Sequence, residues 1–443
     1  MLNRAWSAGL AGVVDAPPRS RPLRVALLGF GVVGKSVARL LGEQHDENSA
    51  VVLTHVFNRN VDAKRADWVD RSVSWTEQID DVLASNVDVM VEVIGGLEPA
   101  YQWVSAALER GISVVTANKV LIAHHGRALT ELAALHGAEL RFEASVAGGV
   151  PVINAIERGI AGDRLRKVAG ILNGTCNFVL SEIASTRGSF KDTVARAREL
   201  GYAEADPSND LNGSDAAAKL IVLAGVGFHL ELRPEHVRRQ PITRITPTDF
   251  DYAARLGCTI RQVSIADHRG DTDLDAFVGP ALVPLDAPLA RVYGASNMVV
   301  LTGEHGGDVT LSGRGAGGDP TAVAVVSDLL ALARGERRQR EAMWSRAKPA
   351  VPASLAHYVR FVVRDRPGIL ASFASVFARH RINVDAVLQE PGYPKSRLPF
   401  VMTLEPCAQA SLAAALEDLD ALDVHEEPPL ALPRLSGGDE PHA

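Results

Sequence analysis

The sequence predicts an α/β protein of three parts: a doubly wound parallel sheet, a mixed α+β unit and a small C-terminal βαββαβ unit. Three observations carry this. Short continuous apolar runs alternate with helical stretches from Arg24 to about residue 150, the pattern of strands buried on both faces. A G-x-G-x-x-G spacing sits at the first strand-to-helix junction. Beyond a charged, proline-containing stretch the order becomes strand, helix, strand, strand, helix.

Size and composition narrow the reading further. The 443 residues favour two or three domains. With 46 Lys+Arg against 53 Asp+Glu, the formal charge of −7 removes the basic footprint of a dedicated nucleic-acid binder. A chain that is 47% hydrophobic and 22% charged matches a soluble globular protein, and no apolar run approaches the roughly 18 residues that span a bilayer. Neither nucleic acid nor membrane is an expected partner. Cys176, Cys258 and Cys407 are odd in number and widely spaced, which suggests no disulfide framework and no zinc cluster, and a cytoplasmic location fits.

In chain order, residues 1–22 read as a disordered leader that only loosely imitates a secretory signal. Strands follow at Arg24–Leu28, Val51–Phe57, Val87–Val93, Ser113–Thr116 and Leu140–Glu143, each ending in Gly, Asn or acidic turn residues. They define a first domain over 23–150, completed by about 317–345. Residues 151–316 read as a separate unit of α+β type, with helices at about 191–200 and 213–226. Arg334 to Pro352 reads as a helix end running into a solvated linker, placed at 346–356, its charge run an exposed face. Tyr358–Val363, Ala371–His380, Ile382–Gln389, Phe400–Glu405 and Ser411–Leu422, with a last strand at 423–427, fill a domain over 357–430. Residues 431–443 read as a frayed tail.

The glycine triplet is Gly29-Phe30-Gly31-Val32-Val33-Gly34. Gly29 suits the tight turn, Gly31 the close approach of a pyrophosphate and Gly34 the packing of helix on strand, so dinucleotide binding is expected. The second strand ends Phe57-Asn58-Arg59-Asn60 without a carboxylate for a ribose 2′-hydroxyl. A guanidinium at Arg59 suits a 2′-phosphate, which favours NADP over NAD.

Two lysines carry the chemistry. Lys119, in Thr116-Ala117-Asn118-Lys119, follows an apolar strand and should emerge at the carboxyl edge of the sheet, where ligands bind in such folds. Lys219 lies four residues after Asp215 on a stretch that continues into Leu220-Ile221-Val222-Leu223, so the two share one face of a largely buried helix and read as a proton-exchanging pair. Cys176, at a helix start, allows a different chemistry, a thiolate nucleophile as in acylating aldehyde dehydrogenases, although no histidine neighbours it in sequence.

Taken together, the motifs resemble the homoserine dehydrogenase family from about residue 23 to 335: Gly-Phe-Gly-Val-Val-Gly at 29–34, Ile-Gly-Gly-Leu-Glu-Pro at 94–99, Thr-Ala-Asn-Lys at 116–119, Phe-Glu-Ala-Ser-Val-Ala-Gly-Gly-Val-Pro at 142–151, Gly-Ile-Leu-Asn-Gly-Thr-Cys-Asn-Phe at 170–178, Leu-Gly-Tyr-Ala-Glu-Ala-Asp-Pro at 200–207 and Gly-Arg-Gly-Ala-Gly-Gly-Asp-Pro-Thr-Ala at 313–322. The resemblance implies a Rossmann-type fold and NAD(P)-dependent interconversion of L-homoserine and L-aspartate 4-semialdehyde, on the route to threonine, methionine and isoleucine. It implies that the 151–316 unit binds substrate and dimerises, that Lys219 protonates the aldehyde oxygen, that Lys119 contacts substrate and cofactor, and that Glu204, Asp215 and Thr175 hold the substrate. Phe30, Val32, Val33, Gly201 and Gly318 match positions that touch the cofactor. A monovalent cation, usually sodium, is implied near Glu143, Val146, Gly148 and Val150, mostly through backbone oxygens.

The C-terminal unit resembles an ACT domain through Val363-Arg364-Asp365-Arg366-Pro367-Gly368-Ile369-Leu370 and Ile382-Asn383-Val384. Such domains often pair and bind an amino acid, which makes threonine an expected effector and a homodimer or homotetramer the expected assembly. The Asp-rich stretch 267–275 departs from the family pattern and reads as a loop of unassigned role. Beside this family resemblance, a thiol-dependent acylating semialdehyde dehydrogenase acting through Cys176 and a non-catalytic amino-acid sensor that retains NADP are the remaining alternatives.

Overall fold

In the computed structural model, residues 21–43, 50–338 and 344–436 are described, so nearly all of the expected leader and the end of the expected tail lie outside the described residues. Residues 431–434, read as frayed, instead belong to the last strand, where Leu432 is buried. The chain forms two compact units, one from residues up to 166 with 218–234 and 301–347, the other from 167–217, 235–300 and the residues from 348 onward.

The first unit is built on a parallel sheet of β1 (Leu23–Leu28), β2 (Val51–Phe57), β3 (Ser74–Thr76), β4 (Val89–Glu92), β5 (Ser113–Thr116) and β6 (Leu140–Arg141). Its order, β3-β2-β1-β4-β5-β6, is that of a Rossmann-type doubly wound sheet. Five of the six strands are legible as apolar runs. β3 is not, because a three-residue Ser-Trp-Thr segment offers no period to read. Leu23, Val25 and Leu27 of β1 are buried with Val37 and Leu41 of the Val32–Glu43 helix and with Val325 and Leu329 of the Gly318–Ala333 helix. Each such side chain taken fully from water contributes roughly 1.5–3 kcal/mol. Residues some 300 positions apart are thereby recruited to one core.

Within the charge run that reads as exposed, Arg338 corrects the expectation. Its guanidinium lies 4.2 Å from the Phe142 ring centroid and its Nε donates to Glu157 at 2.9 Å, so a buried aromatic face and a carboxylate draw it inward. Ser345–Arg346, just beyond, pairs in parallel with Leu230–Glu231.

In the second unit, β7 (Leu165–Ile171), β8 (Cys258–Gly270), β9 (Asp273–Pro284), β10 (Ser296–Gly303), β11 (Leu355–Val363), β12 (Val384–Gln389), β13 (Leu398–Cys407) and β14 (His425–Arg434) share a sheet in the order β10-β7-β8-β9-β14-β11-β13-β12. β8 and β9 form one long antiparallel hairpin in which Asp267 faces Asp275, so the Asp-rich stretch is the tip of that hairpin rather than a free loop. The ACT region has the expected strand-helix-strand-strand-helix-strand order, with helices Ile369–Arg379 and Gln409–Asp420. Its last strand meets β9 at Leu282 opposite Arg434, and the Leu435 N–H donates to the Leu282 carbonyl at 2.9 Å. The ACT strands thus extend the neighbouring sheet without a break. Among the described residues no helix is long and apolar enough to cross a membrane.

Candidate active site

The glycine-rich turn joins β1 to the Val32–Glu43 helix. Gly29 has φ +101°, and a Cβ at Gly34 would stand 2.0 Å from the Gly29 carbonyl oxygen, so only glycine closes this turn. Above Gly31 a Cβ would meet nothing within 4 Å. The result is an open cradle over a helix N-terminus, whose unpaired N–H groups suit the pyrophosphate of a dinucleotide. The Phe30 N–H donates to Asn58 Oδ1 at 3.4 Å, and the buried Phe30 ring packs edge-on against Trp75 with centroids 4.8 Å apart. Arg59 is exposed just beyond the end of β2, a strand that itself carries no acidic residue; nearby, the Glu77 carboxylate accepts from the Val61 N–H at 2.8 Å. A Cβ at Gly318 would come within 3.0 Å of Val32 Cγ1 and 2.8 Å of Ser36 Oγ, so this glycine allows two helix starts to meet.

Beside this turn, at the carboxyl ends of β4 and β5, Glu92 is wholly buried. Its carboxylate accepts from the Ile94 and Gly95 N–H groups at 2.9 Å each and from the Thr116 hydroxyl at 2.6 Å. The Asn118 N–H donates to Thr116 Oγ1 at 2.9 Å, while Asn118 Nδ2 donates to the Gly96 carbonyl at 2.6 Å. Asn118 Oδ1 accepts from the Leu121 N–H, capping the Lys119–Leu135 helix. Glu92 escapes sequence reading, although an acid at the end of an apolar strand was a usable signal.

Lys119 is therefore the first residue of a capped helix, a position where the macrodipole disfavours a cation and where tertiary structure must keep it. It opens into a cavity of about 250 Å3 that Lys219, from the second turn of the Ser214–Phe228 helix, also lines. Val33 of the glycine-rich turn and Gly148 complete the expected residues found there. Ser145, Ala147, Gly315, Ala316, Gly317 and Thr321 line it as well; they fall inside the 142–151 and 313–322 motifs but are not among the site residues named from the sequence.

The segment 142–150 runs behind this cavity and is buried except at Gly149. Ala147 and Gly148 have φ of 54° and 52°, and a Cβ at Gly148 would lie 2.8 Å from the Gly315 carbonyl, which restricts the position to glycine. Both Glu143 carboxylate oxygens are engaged, by the Ile153 N–H at 2.9 Å and the Asn154 N–H at 2.8 Å, and burial still pushes the carboxyl up to about 7. Buried Asp328, pushed up to about 6 by desolvation, accepts from the Glu143 N–H at 3.0 Å. Among the described residues no group of three or more His, Cys, Asp or Glu could hold a metal ion, so a cation here would depend on backbone oxygens such as those of Glu143, Val146, Gly148 and Val150.

In the second unit, Asn173 Nδ2 donates to Asp210 Oδ1 at 2.6 Å and to Asp215 Oδ2 at 2.9 Å, holding two carboxylates side by side. Thr175 Oγ1 donates to the Tyr202 carbonyl at 2.7 Å. Glu204 is exposed, as is Gly201, which has φ of 77°. Cys176 corrects the thiolate expectation: it is fully buried among apolar side chains and its thiol donates to the Asp210 carbonyl at 3.1 Å. A desolvated, donating thiol is a poor nucleophile.

Family models match the chain along most of its length: "Homoserine dehydrogenase, NAD binding domain" over residues 29–143, "Homoserine dehydrogenase" over 151–330 and "ACT domain" over 357–424. The homoserine dehydrogenase of Mycobacterium tuberculosis is 40% identical over 427 residues, covering 92% of this chain and 96% of the relative. That of Bacillus subtilis is 34% identical over 423 residues, covering 92% and 97%. The crystal structure of a homoserine dehydrogenase from Thiobacillus denitrificans superposes with TM-score 0.85 at 33% identity, over 94% of this chain and 98% of that one. A hyperthermophilic archaeal homoserine dehydrogenase in complex with NADPH matches with TM-score 0.61 at 25% identity, over 70% and 97%. With a nucleotide cradle, a two-lysine cavity and relatives of this identity along nearly its whole length, the chain belongs to the homoserine dehydrogenase family of NAD(P)-dependent oxidoreductases.

Proposed function

We propose that the enzyme interconverts L-homoserine and L-aspartate 4-semialdehyde, and that Lys219 donates the proton to the aldehyde oxygen in the reductive direction and takes it back in the reverse, while Lys119 orients substrate and cofactor. The observation that carries this reading is that both lysines line one cavity together with Val33 of the glycine-rich turn. When bound, the nicotinamide nucleotide supplies or accepts the hydride. Everything else falls to side chains: an alkoxide forming at the substrate oxygen needs a proton and a nearby cation, and two ammonium groups supply both. Glu204 and Asp215 provide carboxylates for the substrate ammonium, and Thr175 a hydroxyl.

Gly29, Phe30, Gly31, Val32, Val33, Gly34, Gly201 and Gly318 form the nucleotide contacts, and Arg59 selects NADP over NAD through the 2′-phosphate. A sodium ion occupies the backbone oxygens of Glu143, Val146, Gly148 and Val150, so replacing sodium by choline in the assay lowers turnover. The ACT domain binds threonine and the enzyme works as a homodimer or homotetramer; saturable heat on titrating threonine into the full chain supports the first, and its absence removes it.

The central experiment is Lys219→Ala in the full-length enzyme. Turnover of homoserine with NADP falls by about 10²–10⁴-fold while NADPH binding, read by its fluorescence, is retained. Near-normal turnover would refute the assignment.

A further inference from the structure

Lys119 and Lys219 come from different helices, and something must hold those helices at one spacing if both amines are to serve one small substrate. We infer that Trp344 is a positioning residue for this lysine pair, a wedge seated in matching glycine notches on the two helices. The inference rests on the lysine roles proposed above and adds how they are kept in register.

The notches are Gly126 on the Lys119–Leu135 helix and Gly225 on the Ser214–Phe228 helix. A Cβ at Gly225 would stand 2.6 Å from Cη2 and Cζ3 of Trp344, and one at Gly126 would stand 3.3 Å from the same two atoms. Even one methyl at Gly225 therefore collides with the indole. Glycine in the middle of a helix costs up to about 1 kcal/mol relative to alanine, so the two notches oppose helix propensity where the ring sits. Gly225 follows Lys219 by six residues and Gly126 follows Lys119 by seven, which at the helical rise puts the notches about 9 and about 10.5 Å along the axis from the backbone positions of the two lysines.

The indole is delivered by a strap. The Ser345 N–H donates to the His229 carbonyl at 3.0 Å and the Ala347 N–H to the Glu231 carbonyl at 3.1 Å, just past the end of the Lys219 helix. Arg127 of the Lys119 helix reaches Glu231 at 3.3 Å, so the strand that anchors the strap is also tied to the other helix. Loosening the wedge lets two helices slide on each other, and misplacement of reacting groups by about 1 Å is enough to cost two orders of magnitude.

The test is a double-mutant cycle in the full-length enzyme, with homoserine oxidation and NADPH binding both measured. Trp344→Ala is expected to lower kcat by about 10- to 100-fold while leaving NADPH affinity within about twofold, because the glycine-rich turn of β1 is not part of the wedge. Gly225→Ala in the wild-type background is expected to lower kcat similarly. In the Trp344→Ala background the same methyl has no ring to meet, and it is expected to be neutral or restorative, a result that a general packing defect does not produce. If Trp344→Ala does not accumulate in folded form, Trp344→Leu takes its place in the cycle. A kcat for the Trp344 variant within about twofold of wild type, or an equal loss from Gly225→Ala in both backgrounds, overturns the inference. Lys219→Ala run alongside separates the two readings: if it retains turnover, the lysine assignment fails, whereas loss there with normal Trp344 variants removes only the wedge.

Discussion

The Thr116 hydroxyl donates to the buried Glu92 carboxylate at 2.6 Å, tying the ends of adjacent strands at the edge where the Lys119 helix begins. Thr116 passes the constraint on, since its oxygen also accepts the Asn118 N–H, and Asn118 caps that helix. Glu92→Gln turns the oxygen that accepts from the Thr116 hydroxyl into an amide donor, so that hydroxyl must accept instead and its own proton loses its partner. The change is expected to cost about 1–3 kcal/mol of stability and to lower kcat by disordering the first turn at Lys119. Thermal unfolding and steady-state kinetics on the same preparation check this; an unchanged melting temperature would show that the carboxylate is not required.

Arg59 stands at the tip of β2, where an acid would be needed to hold a ribose 2′-hydroxyl. Arg59→Ala is expected to weaken NADPH binding by about 10-fold, the scale of one lost charge-assisted contact, and to leave NADH binding nearly unchanged. Parallel titrations with the two nucleotides decide it. Equal losses would mean that the guanidinium does not read the 2′-phosphate.

Where the ACT strands join the rest of the second unit, Arg360 and Asp249 form an ion pair at 2.5 Å with exposures of 4% and 0%. The Tyr358 hydroxyl donates to the other Asp249 oxygen at 2.8 Å, and the Thr246 N–H and hydroxyl donate at 2.8 Å each. Burial pushes the Asp249 carboxyl upward and the Arg360 guanidinium opposes that push. Arg360→Ala strands the buried acid and is expected to cost about 3–5 kcal/mol, whereas replacing both partners with apolar residues of similar volume recovers much of it. Denaturant melts of the single and double variants test the asymmetry, which disappears if the pair carries no coupling.

Burial also drives the His357 imidazole below its usual 6.5, with its Nδ1 3.7 Å from Cys407 Sγ. A ring held neutral in the folded chain gains its proton only on unfolding as the pH drops below 6.5. The unfolded state then binds more protons, so stability is lost as pH falls and regained as it rises toward neutrality. His357→Leu is expected to show a shallower loss of melting temperature from about pH 7 to about pH 5.5 than the wild type. Identical slopes would place the pH dependence elsewhere.

Much of this molecule is written locally. The turn at Gly29–Gly34, the strand runs of the first sheet, the strand-end Lys119, the buried helix of Lys219 and the βαββαβ order all follow from neighbours within one or two turns, because backbone conformation, helix period and strand alternation are short-range properties. Contacts between distant residues are not encoded that way. β3 was too short to show a period, Arg338 was drawn inward by Phe142 and Glu157, and the Asp-rich stretch found its role only when β8 paired with β9. Whether an exposed-looking charge, a strand-end acid or a tryptophan after a charged run becomes solvated or structural depends on what packs against it, and for Trp344 against Gly126 that partner lies 218 residues away. Sequence alone therefore determined the chemistry this chain carries, while tertiary packing decided which residues hold that chemistry in place, since burial and close approach exist only once the segments are brought together.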